Sequence, residues 1–332
     1  MFKKSKNYLL VDVNNLFYVT LFAMRKNERE EDIFDQVFED GVIKFNLKDS
    51  AFDNQFKNYF WNTLLGVVTK FNNIYQVILC YDNHSWRNEL FPFYKKRRSL
   101  TKKQDNFNWK HFFAKIRKFQ AEELDKYGPF ISMNVERAEG DDIIGVLAIG
   151  LAQQYPNSTI YIYSADKDFV QLLKYNNIKL YSPMKKKFIQ CLNPKNELLA
   201  MILLGDPADG IPNVRNSSDH YVKLIEINGN EKTRKGAKLG EATVWKAITE
   251  NKVFENIINT PETQKRFQEN KTLIDLEMIP IDVQKAIIEH YKQQLQLLKQ
   301  KSPADIQRYF IMNGMRSLAQ SCYKLLPLFN NE

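Results

Sequence analysis

Cysteine is scarce: Cys80, Cys191 and Cys322 are the only three in 332 residues, far apart and without a CxxC pair. This argues against a disulfide framework and a structural zinc site and fits a reducing cytoplasm. Histidine is equally thin, and His84, His111, His220 and His290 show no ligand spacing. No run approaches the roughly 18 apolar residues that a membrane span needs. The apolar stretch after the basic start MFKKSK meets Asp12 too soon for a secretory signal. A soluble cytoplasmic protein without a membrane partner is expected. Walker, GxGxxG and GxSxG motifs are absent, so nucleotide hydrolysis, dinucleotide binding and a nucleophilic Ser164 or Ser182 have no support.

What is present points elsewhere. With 44% hydrophobic and 13% aromatic residues, the chain can bury a sizeable core. Its 48 Lys and Arg against 39 Asp and Glu give a net charge of +9, which suits a polyanion such as nucleic acid or an acidic membrane surface. Charge alone leaves a merely basic soluble protein the simpler reading. Its distribution says more. Residues 87–103 (RNELFPFYKKRRSLTKK) hold seven basic residues and one acid, interleaved with Phe91, Phe93 and Tyr94. That mixture can track phosphates and stack on bases, although a solvated loop has the same composition. Residues 28–53 carry nine acids against three basic residues and read as an acidic insertion or surface loop.

Four short apolar runs alternate with helical patterns: 8–13 (YLLVDV), 76–82 (QVILCYD), 130–135 (FISMNV) and 159–164 (TIYIYS). Such runs predict an α/β fold with a mainly parallel twisted sheet covered on both faces. A fifth run at 178–181 leads into a hairpin or edge strand with Pro183 at the turn. From Pro194 the pattern is helical, which sets a soft boundary near residue 192.

The acids stand where this sheet would place them together. Asp12 and Asp82 close the first two runs, and the fourth leads into Asp166 and Asp168 (SADKD). Ligands bind beyond the carboxyl ends of strands in open α/β sheets. Glu139, Asp141 and Asp142 begin a helix with apolar Ile143, Ile144, Leu147 and Leu151 behind them. Acids in a first helical turn are often only caps or dipole partners. Three in four residues, feeding a crevice already acidic, call for cations. Oxygen ligands without His or Cys favour Mg²⁺ or Mn²⁺ over zinc. Two such ions roughly 4 Å apart can clamp the attacking and leaving oxygens of a phosphoryl displacement.

In this order, with GDPADGIPNV following, the motifs resemble the structure-specific 5′ nucleases, the flap endonuclease and 5′→3′ exonuclease superfamily, and most of all its T-even phage ribonuclease H branch. YDNHSWRNELFPFYKKRR, EGDD, SADKD, YSPMKKKF and LIDLEMIPIDVQKAIIEHY extend the resemblance over nearly the whole chain. It implies that Asp12, Asp82, Glu139, Asp141, Asp142, Asp166, Asp168, Asp206 and Asp209 surround two Mg²⁺ ions, for which Mn²⁺ can substitute. Arg87 and Lys95 would engage the scissile phosphate as catalytic residues. Lys96, Arg97, Arg98, Lys102 and Lys103 would belong with them to an arch over 87–108 that passes single-stranded 5′ ends. GDPADGIPNVR and KLGEATVWKAI resemble halves of a helix–three-turn–helix gripping duplex DNA. Gly205, Gly210, Lys238 and Gly240 would lie near its phosphates, in a helical DNA-binding domain over 193–332 that follows a catalytic domain over 1–192.

The implied reaction gives 5′-phosphorylated products from RNA–DNA hybrids, duplex DNA and flaps, as in removal of lagging-strand RNA primers in host cytoplasm. A monomer is expected. A single-strand-binding protein and a sliding clamp follow as partners, although no motif identifies either. Three rival readings stay open on residues alone: a PIN-type ribonuclease, a non-catalytic nucleic-acid-binding protein, and a structural protein whose acids are caps and salt-bridge partners. Trp61, Trp86, Trp109 and Trp245 read as packing residues, with Trp86 the exception that could stack on substrate.

Overall fold

The computed structural model describes residues 6–39, 41–96, 106–222 and 237–329. Strand β1 (Asn7–Asp12) is central, and the hairpin strands β2 (Phe34–Glu39) and β3 (Val42–Leu47) stand apart from the main sheet. That sheet adds β4 (Ile74–Cys80), β5 (Ile131–Met133), β6 (Ile160–Tyr163), β7 (Ile178–Ser182) and β8 (Lys187–Phe188). Its order is β5-β4-β1-β6-β7-β8, parallel throughout except for the β7–β8 hairpin. The α/β expectation therefore holds, with strand ends a residue or two from those read in the sequence.

β1 is apolar on both faces because both are covered. Leu9 and Val11 pack on one side with Phe17 of α1 (Val13–Asn27) and with Phe60 and Trp61 of α2 (Lys57–Lys70). Tyr8 and Leu10 pack on the other with Ile143, Ile144 and Leu147 of α3 (Gly140–Gln154). The period-two alternation of a strand sorts consecutive residues into the two cores.

The helices after residue 192 divide by what they cover. α4 (Pro194–Leu204), the helix over Glu241–Thr249 and α5 (Pro261–Ile274) share two smaller apolar clusters. α6 (Ile281–Leu298) instead lays Val283 and Ile287 into the core on the α3 side. The last helices return to the opposite face, where the Phe310 ring meets Trp61 edge-on at 5.1 Å.

The acidic stretch 28–53 is a short helix, a β-hairpin and the start of another helix rather than a loop. FDQVFE and VIKFNL pair antiparallel, from Phe34 opposite Leu47 to Glu39 opposite Val42, and both strands carry the aromatic and β-branched residues that suit a strand. Phe34 and Leu47 are buried at its base, whereas Phe38 and Ile43 are exposed at its tip.

Candidate active site

The parallel register brings the strand ends level. Asp12 pairs with Cys80, Val11 pairs with both Leu79 and Tyr163, and Asp82 and Ser164 follow just beyond. β1 lies between β4 and β6, at the point where strand order reverses, so the crevice opens over the acids.

Several of the carboxylates are held in place by hydrogen bonds. Asp12 caps α1, accepting from the Asn15 amide at 3.0 Å and from Ser164 Oγ at 2.8 Å. Ser164 Oγ also accepts from the Asp166 amide at 3.0 Å, and Asp166 accepts from the Asp168 amide at 2.9 Å. Asp82 accepts from the Gly140 amide at 2.8 Å and from the Asn14 side chain. A Cβ at Gly140 would stand 3.1 Å from Asp82 Oδ1 and 3.4 Å from Cys80 O, so this close approach favours glycine. Segments 82–86 and 137–140 are joined by Asn83 N to Ala138 O and Trp86 N to Arg137 O, which sets Asp82 beside the start of α3.

Burial and like charge act together on these groups. Burial, with Asp82 and Asp166 nearby, pushes the Asp12 carboxyl up to about 6. Burial and the carboxylates of Asp166, Asp206 and Asp209 push Asp168 up to about 8. Asp141 is likewise raised, by burial first and then by Asp166 and Asp12. Glu139 differs. Burial would raise it, but Lys95 and Arg87 outweigh that and hold it below its ordinary value. Lys95 Nζ donates to Glu139 Oε1 at 2.6 Å and lies 3.9 Å from Asp209 Oδ2. Tyr94 Oη lies 2.8 Å from Glu139 Oε2 and 3.1 Å from Asp209 Oδ2, sharing its one proton between them. Asp206 accepts from the Ala208 amide and pairs with Lys167 at 3.2 Å.

Among the described residues, no three acidic, histidine or cysteine side chains form a ready-made cage for an ion. Carboxylates that repel one another spread towards amides and hydroxyls instead. The donor set still fits hard divalent cations: it is carboxylate oxygen, and burial together with like charge keeps several members from ionising at their ordinary pH.

Two of the expected site residues lie behind the crevice rather than in it. Asp142 is fully buried, with Oδ1 taken by Arg87 Nη1 at 2.7 Å and Oδ2 by the Glu139 amide at 2.9 Å, so it stands behind the crevice. Arg87 is only 4% exposed and points inward, so it does not present its guanidinium to a phosphate. Gly210 is also set by packing: its φ is +75°, and a Cβ there would lie 2.9 Å from Phe93 O. Gly205, at φ +70°, would place a Cβ 2.4 Å from Ile211 O and Pro212 O.

Lys96 is exposed in the basic run, while Arg97, Arg98, Lys102 and Lys103 lie outside the described residues. GDPADGIPNVR and KLGE do meet: Arg215 Nη1 donates to Lys238 O at 3.4 Å, and Lys238 and Gly240 are exposed. Trp86 is buried and Trp245 is 41% exposed, the reverse of what the sequence suggested. Sequence reasoning missed the supporting roles of Asn14, Tyr94, Ser164 and Lys167. Only their closeness to predicted acids along the chain could have drawn notice.

Comparison with known proteins gives the family and the fold. The family described as 5′–3′ exonuclease, N-terminal resolvase-like domain, matches residues 7–198, and that described as T4 RNase H, C terminal, matches residues 193–325. The ribonuclease H of Enterobacteria phage T4 is 30% identical over 251 residues, covering 74% of this chain and 78% of that protein. A 5′–3′ exonuclease of Buchnera aphidicola subsp. Schizaphis graminum is 26% identical over 223 residues, covering 64% of this chain and 67% of its own. The bacteriophage T5 flap endonuclease, solved with DNA and metal ions, shares the fold at a TM-score of 0.54 and 17% identity, over 88% of this chain and 99% of that one.

Proposed function

This chain belongs to the 5′–3′ exonuclease family and is a nuclease, and from that premise we propose that it is a Mg²⁺-dependent hydrolase acting at 5′ ends and flaps of DNA and RNA–DNA hybrids. The observation that carries the proposal is the convergence of carboxylates from β1, β4, β6 and the start of α3 on one crevice, with the cation of Lys95 at its edge.

Asp12, Asp82, Asp141, Asp166 and Asp168 would hold two Mg²⁺ or Mn²⁺ ions, flanked by Glu139, Asp206 and Asp209. When bound, such ions neutralise the acids, polarise a phosphate and make water more acidic. The chain's own groups supply the rest. Lys95 stays protonated, because Asp209 and Glu139 outweigh the effect of burial, and offers positive charge where a phosphate enters. Tyr94 fixes Glu139 and Asp209 relative to each other. Lys96, Lys238 and Gly240 would meet sugar–phosphate backbone, which positions a substrate without reading its sequence. Residues 193–332 would grip the duplex. Removal of RNA primers during replication is part of the same proposal, supported by the 30% identity to phage T4 ribonuclease H.

The test is cleavage of 5′-labelled flap, nicked duplex and RNA–DNA hybrid by purified protein. Short products that appear with Mg²⁺ and vanish in EDTA are expected. Equal cleavage in EDTA, or none on any substrate, refutes the proposal.

A further inference from the structure

We propose that Arg87 is a positioning residue that ties the acid crevice to the C-terminal end of α5 without touching substrate; this rests on the nuclease reading above. Its guanidinium joins parts of the chain that are far apart in sequence. Nη1 donates to Asp142 in the first turn of α3 at 2.7 Å and to its N-cap Glu139 at 3.4 Å. Nε donates to Leu273 O at 2.7 Å, in the last turn of α5. The group lies 4.6 Å from the Trp86 ring centre and 5.8 Å from that of Tyr94.

The last carbonyls of a helix lack partners within it and carry the negative end of its dipole, so a buried cation suits that position. Two carboxylates and a carbonyl in different directions require the fixed fork of a guanidinium, which a lysine cannot reproduce.

A second link converges on the same helix end. Gln171 follows Asp166 and Asp168 in the 3₁₀ helix Lys167–Lys174 and is 1% exposed. Its Nε2 donates to Ile274 O at 3.1 Å, and its Oε1 accepts from the Leu276 amide at 2.9 Å. One turn earlier on α5, Asn270 Nδ2 donates to Ile202 O at 2.9 Å and to Pro212 O at 2.8 Å. Two acid-bearing segments and the GDPADGIPNV turn are thus pinned to one helix, so the distance from duplex to crevice is set by α5. Arg87 and Gln171 fix that register.

The experiment compares Arg87→Gln, Arg87→Lys and Gln171→Met with the wild type on a labelled flap. DNA affinity is measured in EDTA across a salt series, alongside turnover at saturating substrate with Mg²⁺ and the distribution of cut positions. For both Arg87 variants, affinity and salt slope should be unchanged while turnover falls by about 10²-fold, the scale of a misplacement near 1 Å. Cuts should spread to neighbouring phosphates, with Gln171→Met showing the same spread. A salt slope flatter by about one unit, the mark of one lost phosphate contact, or full activity in Arg87→Lys would overturn the proposal. If neither Arg87 variant folds, Gln171→Met decides, and unchanged cut positions would overturn it. A wild type that does not cleave with Mg²⁺ defeats the nuclease reading itself, whereas wild-type cleavage with the contrary variant results defeats this inference alone.

Discussion

Lys95 sits in the left-handed region at φ 53°, held there by its amide bonded to Asp209 O at 2.7 Å. Such a conformation costs about 1 kcal/mol or more for a residue with a side chain, so the surroundings must impose it. Its ammonium is thereby set on Glu139 with little freedom. Lys95→Ala should lower turnover at least 10²-fold while changing flap affinity by less than about 3-fold, because preorganised charge acts mainly on the transition state. Loss of affinity alone, in parallel binding and single-turnover assays, would make Lys95 a binding residue only. The raised carboxyls give a pH prediction. Asp12, near 6, and Asp168, near 8, hold protons at pH values where free carboxyls have lost them. Cation binding must expel those protons, so Mg²⁺ affinity should rise as pH goes from 6 to 8. Calorimetry in buffers of different ionisation enthalpy should detect proton release, and pH-independent affinity would contradict the shifts. Asp12, Asp82 and Asp166 were legible in the sequence because strand ends are local features. Asp142 and Arg87 were not, since their pairing across 55 residues and their burial are tertiary facts.

The strands of the main sheet were readable as elements because apolar runs with turn residues between them leave few alternatives. The hairpin β2–β3 was missed because its acidic charge reads as a surface loop and its apolar residues do not alternate cleanly along either strand. The soft boundary near residue 192 marks a change of pattern, yet later helices complete the cores of the sheet. Tyr309 and Phe310 pack on Trp61, contacts that no local pattern reveals. Phe310→Ala should therefore destabilise by about 3–5 kcal/mol, the usual cost of emptying a buried aromatic site. Because the packing crosses the boundary, thermal unfolding should remain one transition at lower Tm. A separate low-temperature transition, with the sheet's melting unchanged, would show that the last helices fold independently.

At the scale of the molecule, a chain with nine more basic than acidic residues gathers carboxylates from distant segments where β1, β4 and β6 end. Outside the crevice the excess of positive charge suits a polyanion, and within it the negative charge suits cations. Both features serve one purpose only if the acids hold Mg²⁺ while the basic surface holds nucleic acid. The most direct test is Mg²⁺-dependent cleavage of a 5′-labelled flap by Asp141→Asn and Asp168→Asn, with DNA affinity measured in EDTA. Cleavage should fall by at least 10³-fold in each variant while affinity stays within about 3-fold of wild type. Undiminished cleavage by both variants would contradict the assignment of the crevice.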